Sequence, residues 1–118
     1  MKYMLLIYSD EQIWTEDERQ RCFDESVELA RELKANGQLL ATSPLQPVAT
    51  ATTVKLRGGR KIVTDGPFAE AREQLGGYFL IEASDLDAAI GIATRIPAAR
   101  RGSVEIRPIV ELGALATI

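Results

Sequence analysis

Residues 2–8 read Lys-Tyr-Met-Leu-Leu-Ile-Tyr, an almost unbroken apolar run of strand length. A strand with one wet face would alternate, so this run predicts a central strand covered on at least one side. Ser9 to Trp14 follows as a loop. Thr15-Glu16-Asp17-Glu18 then has the composition of a capping box, with acids at the positive end of a helix dipole. The spacing predicts a helix running to about Asn36, with Gly37 as the left-handed residue that ends it. Phe23, Val27, Ala30 and Leu33 recur at helical spacing and form its expected buried stripe. The remaining positions are largely charged, so one side alone faces a core.

Gln38 to Thr42 reads as a short strand, and Pro44 and Pro47 place the segment after it at a sheet edge or outside it. Thr52–Arg57 and Arg60–Thr64 flank Gly58-Gly59, the signal of a two-residue hairpin. Thr52, Val54 and Leu56 alternate with Thr53, Lys55 and Arg57, which predicts one dry face and one wet face. Asp65-Gly66-Pro67-Phe68 has turn chemistry: a carboxylate that can bond nearby amides, a glycine free to take positive φ, and a proline with φ fixed near the helical value. Ala69 to Leu75 is expected as a short helix stopped by Gly76-Gly77, with Tyr78-Phe79-Leu80-Ile81 as the buried strand beyond. Ser84 is the expected cap of a second helix that turns Leu86, Ala89, Ile90, Ala93 and Ile96 inward and ends at Pro97. Ser103 to Val110 alternates, and Pro108 makes it an edge strand or one that pairs late. Gly113 to Ile118 is a tail.

This order predicts an α+β fold: a ferredoxin-like split βαβ antiparallel sheet with two helices on one face and a hairpin inserted. The other face lacks cover within one chain. A second identical copy laid against it, giving a dimeric α+β barrel, would supply that cover.

At 118 residues the chain is expected to form a single domain, residues 1–118. A formal charge of −3 argues against nucleic acid as a partner, and no apolar run reaches the length of a membrane span. The apolar start lacks the basic flank and cleavage site of a signal segment, and Cys22 is the sole cysteine. Both fit a reducing, cytoplasmic setting. The chain contains no histidine, which excludes Ser-His and Cys-His catalysis and His-ligated zinc by inventory. No P-loop or dinucleotide fingerprint is present, so no cofactor and no metal are expected.

The candidate chemistry gathers around residues 64–81. Asp65, beside apolar Phe68 and Tyr78, is the candidate acid or base, with Glu70 and Glu73 close in sequence. The plainer reading has Asp65 making the turn and capping the helix, with Glu70 and Glu73 solvated. Tyr3, Tyr8 and Tyr78 could orient a polar ligand through their hydroxyls or sit in the core with wet tips. Trp14 suits either a pocket mouth or a dimer contact; Ser43, Arg57 and Arg107 suit an anion or plain surface charge. The residues carried forward are Asp65 as catalytic candidate and Tyr8, Phe68, Glu70, Tyr78 and Arg107 as ligand-binding candidates. Cys22 reads as structural.

Thr64-Asp65-Gly66-Pro67-Phe68-Ala69-Glu70, then Leu75-Gly76-Gly77-Tyr78, then Glu105-Ile106-Arg107-Pro108, resembles the bacterial DGPF-domain proteins of the YCII-related group. The resemblance covers essentially the whole chain. It implies a ferredoxin-like, dimeric α+β barrel and implies much less about activity. It also implies a link of some relatives to extracytoplasmic-function sigma factors, and acid–base chemistry with a His and an Asp in YCII-like relatives. This chain departs there, having no His, so only Asp65 carries over. Three functions follow: a dimeric barrel that binds a small organic ligand, an acid–base enzyme using Asp65, or a regulatory, protein-interaction module tied to a sigma factor. A pocket with buried polar groups near Asp65 and Tyr78 favours the first two; a filled interior with an exposed apolar patch favours the third.

Overall fold

The computed structural model describes residues 1–118. Six strands and two helices follow the order β1 (Lys2–Ser9), α1 (Glu16–Ala35), β2 (Leu39–Pro44), β3 (Thr52–Arg57), β4 (Arg60–Asp65), β5 (Gln74–Glu82), α2 (Leu86–Ala93) and β6 (Ser103–Pro108), with short 3-10 turns between them. Four strands form one sheet in the order β2-β5-β1-β6, and every neighbouring pair is antiparallel. That is the ferredoxin-like arrangement, with the β3–β4 hairpin inserted between the second and third strands of the main sheet. The apolar run 2–8 forms the inner strand β1, and the two proline-bearing strands, β2 and β6, take the edges, where a missing N–H costs no ladder bond.

The strands sort their side chains by period two. Tyr3 and Leu5 of β1 and Phe79 and Ile81 of β5 are buried beneath the helices with Leu29, Leu33, Ala89, Ile92 and Ile96. The intervening residues, Met4, Leu6, Tyr78 and Leu80, lie on the opposite face and remain partly exposed.

Helix α1 starts as its sequence predicts. The Thr15 hydroxyl accepts from the Glu18 amide at 3.1 Å, and the Glu18 carboxylate accepts from the Thr15 amide at 2.9 Å. Asn36 caps the other end, followed by Gly37 at φ +71°. Its buried residues are Leu29 and Leu33; Phe23 and Val27, expected in the core, are 39% and 48% exposed. The core therefore sits to one side of the expected stripe, and the Phe23–Val27 edge overhangs something unfilled.

Three other expectations change. Residues 66–73 form bends and irregular chain, with no helix over 69–75. Ala69 to Glu73 offers no apolar face to pack, and a helix this short does not meet its nucleation cost without one. Gly76 and Gly77 belong to β5 instead of stopping a helix. Gly76 is passed over in the pairing with β1, as a bulge between the Ile7–Gly77 and Tyr8–Leu75 pairs. Gly77 lies so close to β2 that a Cβ would sit 3.0 Å from the Ser43 carbonyl oxygen. The cap of α2 is Asp85, one residue later than Ser84, accepting from the Ala88 amide at 2.8 Å. That phase turns Ile92 inward and leaves Leu86 and Ile90 exposed.

The hairpin forms as expected around Gly58 and Gly59, both at positive φ, but as a separate two-stranded sheet. Its apolar face is bare: Val54 is 60% and Leu56 69% exposed, with Val63 cross-strand from Val54. The expected dry side has no cover from its own chain. No helix is long and apolar enough to cross a membrane.

Candidate functional site

Between α1 and the β2 side of the sheet lies a cavity of about 340 Å³. Its roof is the overhanging edge of α1, where Cys22, Phe23, Val27 and Ala30 follow one another at helical spacing. Its floor is the helix-facing side of the sheet, with Ile7, Leu39 and Phe79 beside the side-chain-free backbone of Gly76 and Gly77. Trp14 stands at one wall, and the segment Pro44–Pro47 forms another. Glycine matters at 77 because the strand must approach β2 closely there.

The rim is stitched from four segments through one residue. The Glu11 amide donates to the Gln74 side-chain oxygen at 3.1 Å, and its carbonyl accepts from the Arg19 guanidinium at 3.0 Å. Its carboxylate accepts from the Val48 amide at 3.1 and 3.3 Å. Glu11 thus ties the loop before α1 to α1 itself, to the 48–50 turn and to the start of β5. Trp14 is held in turn: its indole N–H donates to the Ser9 hydroxyl at 3.3 Å, and the Arg101 guanidinium stacks 4.7 Å from its ring centre. Arg101 also donates to the Ile13 carbonyl and the Glu18 carboxylate. Trp14 is thus fixed at the cavity wall.

The Cys22 thiol in the roof is pushed up from its ordinary range by burial, against a smaller downward pull from the Ser26 hydroxyl. It stays protonated near neutral pH and is a poor nucleophile. The Glu11 carboxylate is engaged by an amide, and the cavity has polar groups at its edge and mainly apolar surface within.

The predicted site residues fall elsewhere, in two groups. Tyr8, Tyr78 and Arg107 share the uncovered face of the main sheet. Pairing places Ser43, Tyr78, Leu6 and Glu105 in one row across that face, and Ala41, Leu80, Met4 and Arg107 in the next. Tyr8 lies one row further on, opposite Ser103. Tyr3, by contrast, is buried under the helices with its hydroxyl 3.6 Å from the Met1 sulfur. Asp65, Phe68 and Glu70 lie at the end of the hairpin and in the loop after it, all exposed. The Asp65 turn is closed by Gly66, at φ +106°, whose amide donates to the Ala51 carbonyl at 2.7 Å and whose carbonyl accepts from the Thr53 hydroxyl at 2.8 Å. Phe68 is 76% exposed, with the Lys55 ammonium 5.0 Å above its ring. Glu73 accepts from the Ser103 hydroxyl at 2.8 Å, so it shares no helix face with Glu70. None of Tyr8, Asp65, Phe68, Glu70, Tyr78 and Arg107 lines the cavity.

The residues that sequence reasoning passed over are Glu11 and the Phe23–Val27 edge. A signal for the second was present. Cys22, Phe23, Ser26, Val27, Ala30 and Leu33, with Leu29, make a stripe wider than a single core contact needs.

A structure of 5-chloro-2-hydroxyhydroquinone dehydrochlorinase from Burkholderia phenoliruptrix AC1100, in complex with 2,5-dihydroxybenzoquinone, superposes with a TM-score of 0.57 at 12% identity, covering 97% of this chain and 98% of that one. At that identity the likeness is one of fold. An uncharacterized protein of Rhizobium meliloti (strain 1021) is 36% identical over 114 residues, covering 92% of each chain. The model of the YCII-related domain matches residues 1–113. The chain therefore belongs to the YCII-related domain family.

Proposed function

We propose that this protein binds a small organic molecule, of about one ring system, in the cavity between α1 and β2, and that it does so as a homodimer closed through the open face of the main sheet. The observation that carries the first part is a cavity of about 340 Å³ walled mainly by apolar side chains and ringed by positioned polar groups. Ligand sites have this size and character. The structural neighbour's ligand is a single-ring quinone, which is the size class that this space admits.

Dimerisation is supported by the partly exposed Met4, Leu6, Tyr78 and Leu80 on two central strands. The bare hairpin face of Val54, Leu56 and Val63 adds to them. The paired residues Met4–Leu80 and Leu6–Tyr78 adjoin one another, and apolar surface of this kind is what an interface covers. Tyr8, Tyr78 and Arg107 are then the polar groups of the barrel seam, where a ligand-orienting role remains open to them. In this reading Asp65, with Phe68 and Glu70 beyond it, is brought to a site by the partner. A link to a sigma factor rests on the family resemblance alone.

The test is chemical-shift mapping with single-ring organic fragments on ¹⁵N-labelled protein, with sedimentation equilibrium alongside. The expected result is a dimer in which fragments shift the amides of Trp14, Phe23, Val27 and Gly77. Shifts confined to residues 65–70 would move the site to the acidic turn, and no shifts at all would remove the ligand-binding reading. Once a substrate is found, unchanged turnover in Asp65→Asn ends the acid–base role of that residue.

A further inference from the structure

The charges around the cavity run against those of the chain. Acidic residues outnumber basic ones overall, 17 to 14. The cavity wall has three cations, Arg19, Arg31 and Lys34, and a single carboxylate, Glu11. The carboxylate already accepts from the Val48 amide. Two of the cations are also committed: Arg19 donates to the Glu11 carbonyl, and Arg31 pairs with Glu28 one turn back on α1. Lys34 forms no ion pair within the chain. It lies on the same edge of α1 as Val27 and Ala30, seven and four residues on from them, two turns and one turn along the roof. A lysine in the last turn of a helix suits the helix dipole wherever it occurs. What distinguishes Lys34 is that it lines the cavity, is exposed, and has no ion-pair partner within the chain.

We infer that the ligand is an organic anion, an apolar body of about one ring system bearing a carboxylate or comparable acidic group, seated with its charge at Lys34. The inference rests on the cavity being the ligand site and adds the chemical class. An apolar body fits against Phe23, Val27 and Phe79, where a charge would lose its hydration without a partner. The acidic group belongs at the rim, where Lys34 meets it in water-accessible surroundings. The pairing there is modest because solvent screens it. It decides between ligands more than it sets the affinity.

The experiment compares 1-adamantanecarboxylate with 1-adamantanecarboxamide, two probes of nearly the same shape that differ in charge. Trp14, the only tryptophan, stands at the cavity wall and reports binding by its emission; amide shifts at Ala30 and Gly77 report it independently. The carboxylate is expected to bind roughly fivefold tighter than the amide at low salt, the scale of an exposed ion pair. The preference is expected to shrink toward unity in Lys34→Gln and as salt is raised. Equal affinity for the two probes, or a preference that survives Lys34→Gln, overturns the anion assignment while leaving the cavity as the site. If neither probe moves Trp14 emission or the cavity amides, the site itself is wrong and the anion assignment falls with it.

Discussion

Strands β1 and β5 carry the same kinds of side chain on both faces, and the two faces meet different fates. Leu5, Phe79 and Ile81 lie sealed under α1 and α2, while Leu6, Tyr78 and Leu80, one residue along in each case, stay partly open. Hydropathy alone cannot separate them, since both rows are apolar. The difference lies in what covers them: two helices of the same chain on one side, and nothing of the same chain on the other. Even the covered side is uneven. Leu29 and Leu33 of α1 press on the sheet, and Phe23 and Val27 stand off it, which leaves the cavity. A single sheet thus has a packed region, a hollow region and a partly open region.

Substitutions separate the faces most sharply. Ile81→Ala removes a fully buried side chain and is expected to cost about 2–5 kcal/mol in urea unfolding. Leu80→Ala, its neighbour on the bare face, is expected to cost about 1 kcal/mol or less at high dilution, and to weaken self-association when the protein is concentrated. Equal losses at high dilution would mean that the two faces are equally covered in the monomer.

The cover can be loosened without touching the sheet. Thr15→Ala removes the hydroxyl that caps α1 and is expected to cost about 1 kcal/mol, with faster amide exchange in the first turn. The smallest effect is one of pH. The Thr15 amide and hydroxyl, and then Arg101, hold the Glu18 carboxyl below its usual range. A carboxyl with a lowered folded-state pKa adds stability that is present above its unfolded value and is lost as pH falls through the folded one. Glu18→Gln is therefore expected to flatten the acid side of the stability profile, read as urea midpoints between about pH 6 and about pH 3. An unchanged profile would mean that the cap bonds contribute nothing through Glu18.

Much of this was legible in the chain because it is decided locally. The capping box at Thr15, the Gly58-Gly59 hairpin and the edge positions of the proline-bearing strands depend on residues close together in sequence, and all three formed. The failures share a cause as well. Whether residues 69–75 coil depended on a surface to coil against, and Gly77 serves the close approach to a neighbouring strand at Ser43, far off in sequence, rather than a helix end. The cavity is harder still to foresee. It exists because α1 rests on Leu29 and Leu33 rather than on the whole stripe, a matter of how two elements meet. The Asp-Gly-Pro-Phe turn drew attention to Asp65, yet the bonds that close that turn come from the Gly66 backbone.

The proposed binding site is the space under α1. Val27→Trp fills it from the roof, at a position already half exposed and outside the buried core cluster. Filling a functional hollow leaves a protein as stable as before, or more so, and costs it function. An unchanged or raised unfolding midpoint is expected in Val27→Trp, together with loss of 1-adamantanecarboxylate binding by about tenfold or more. Binding that survives the filled roof would contradict the proposed site.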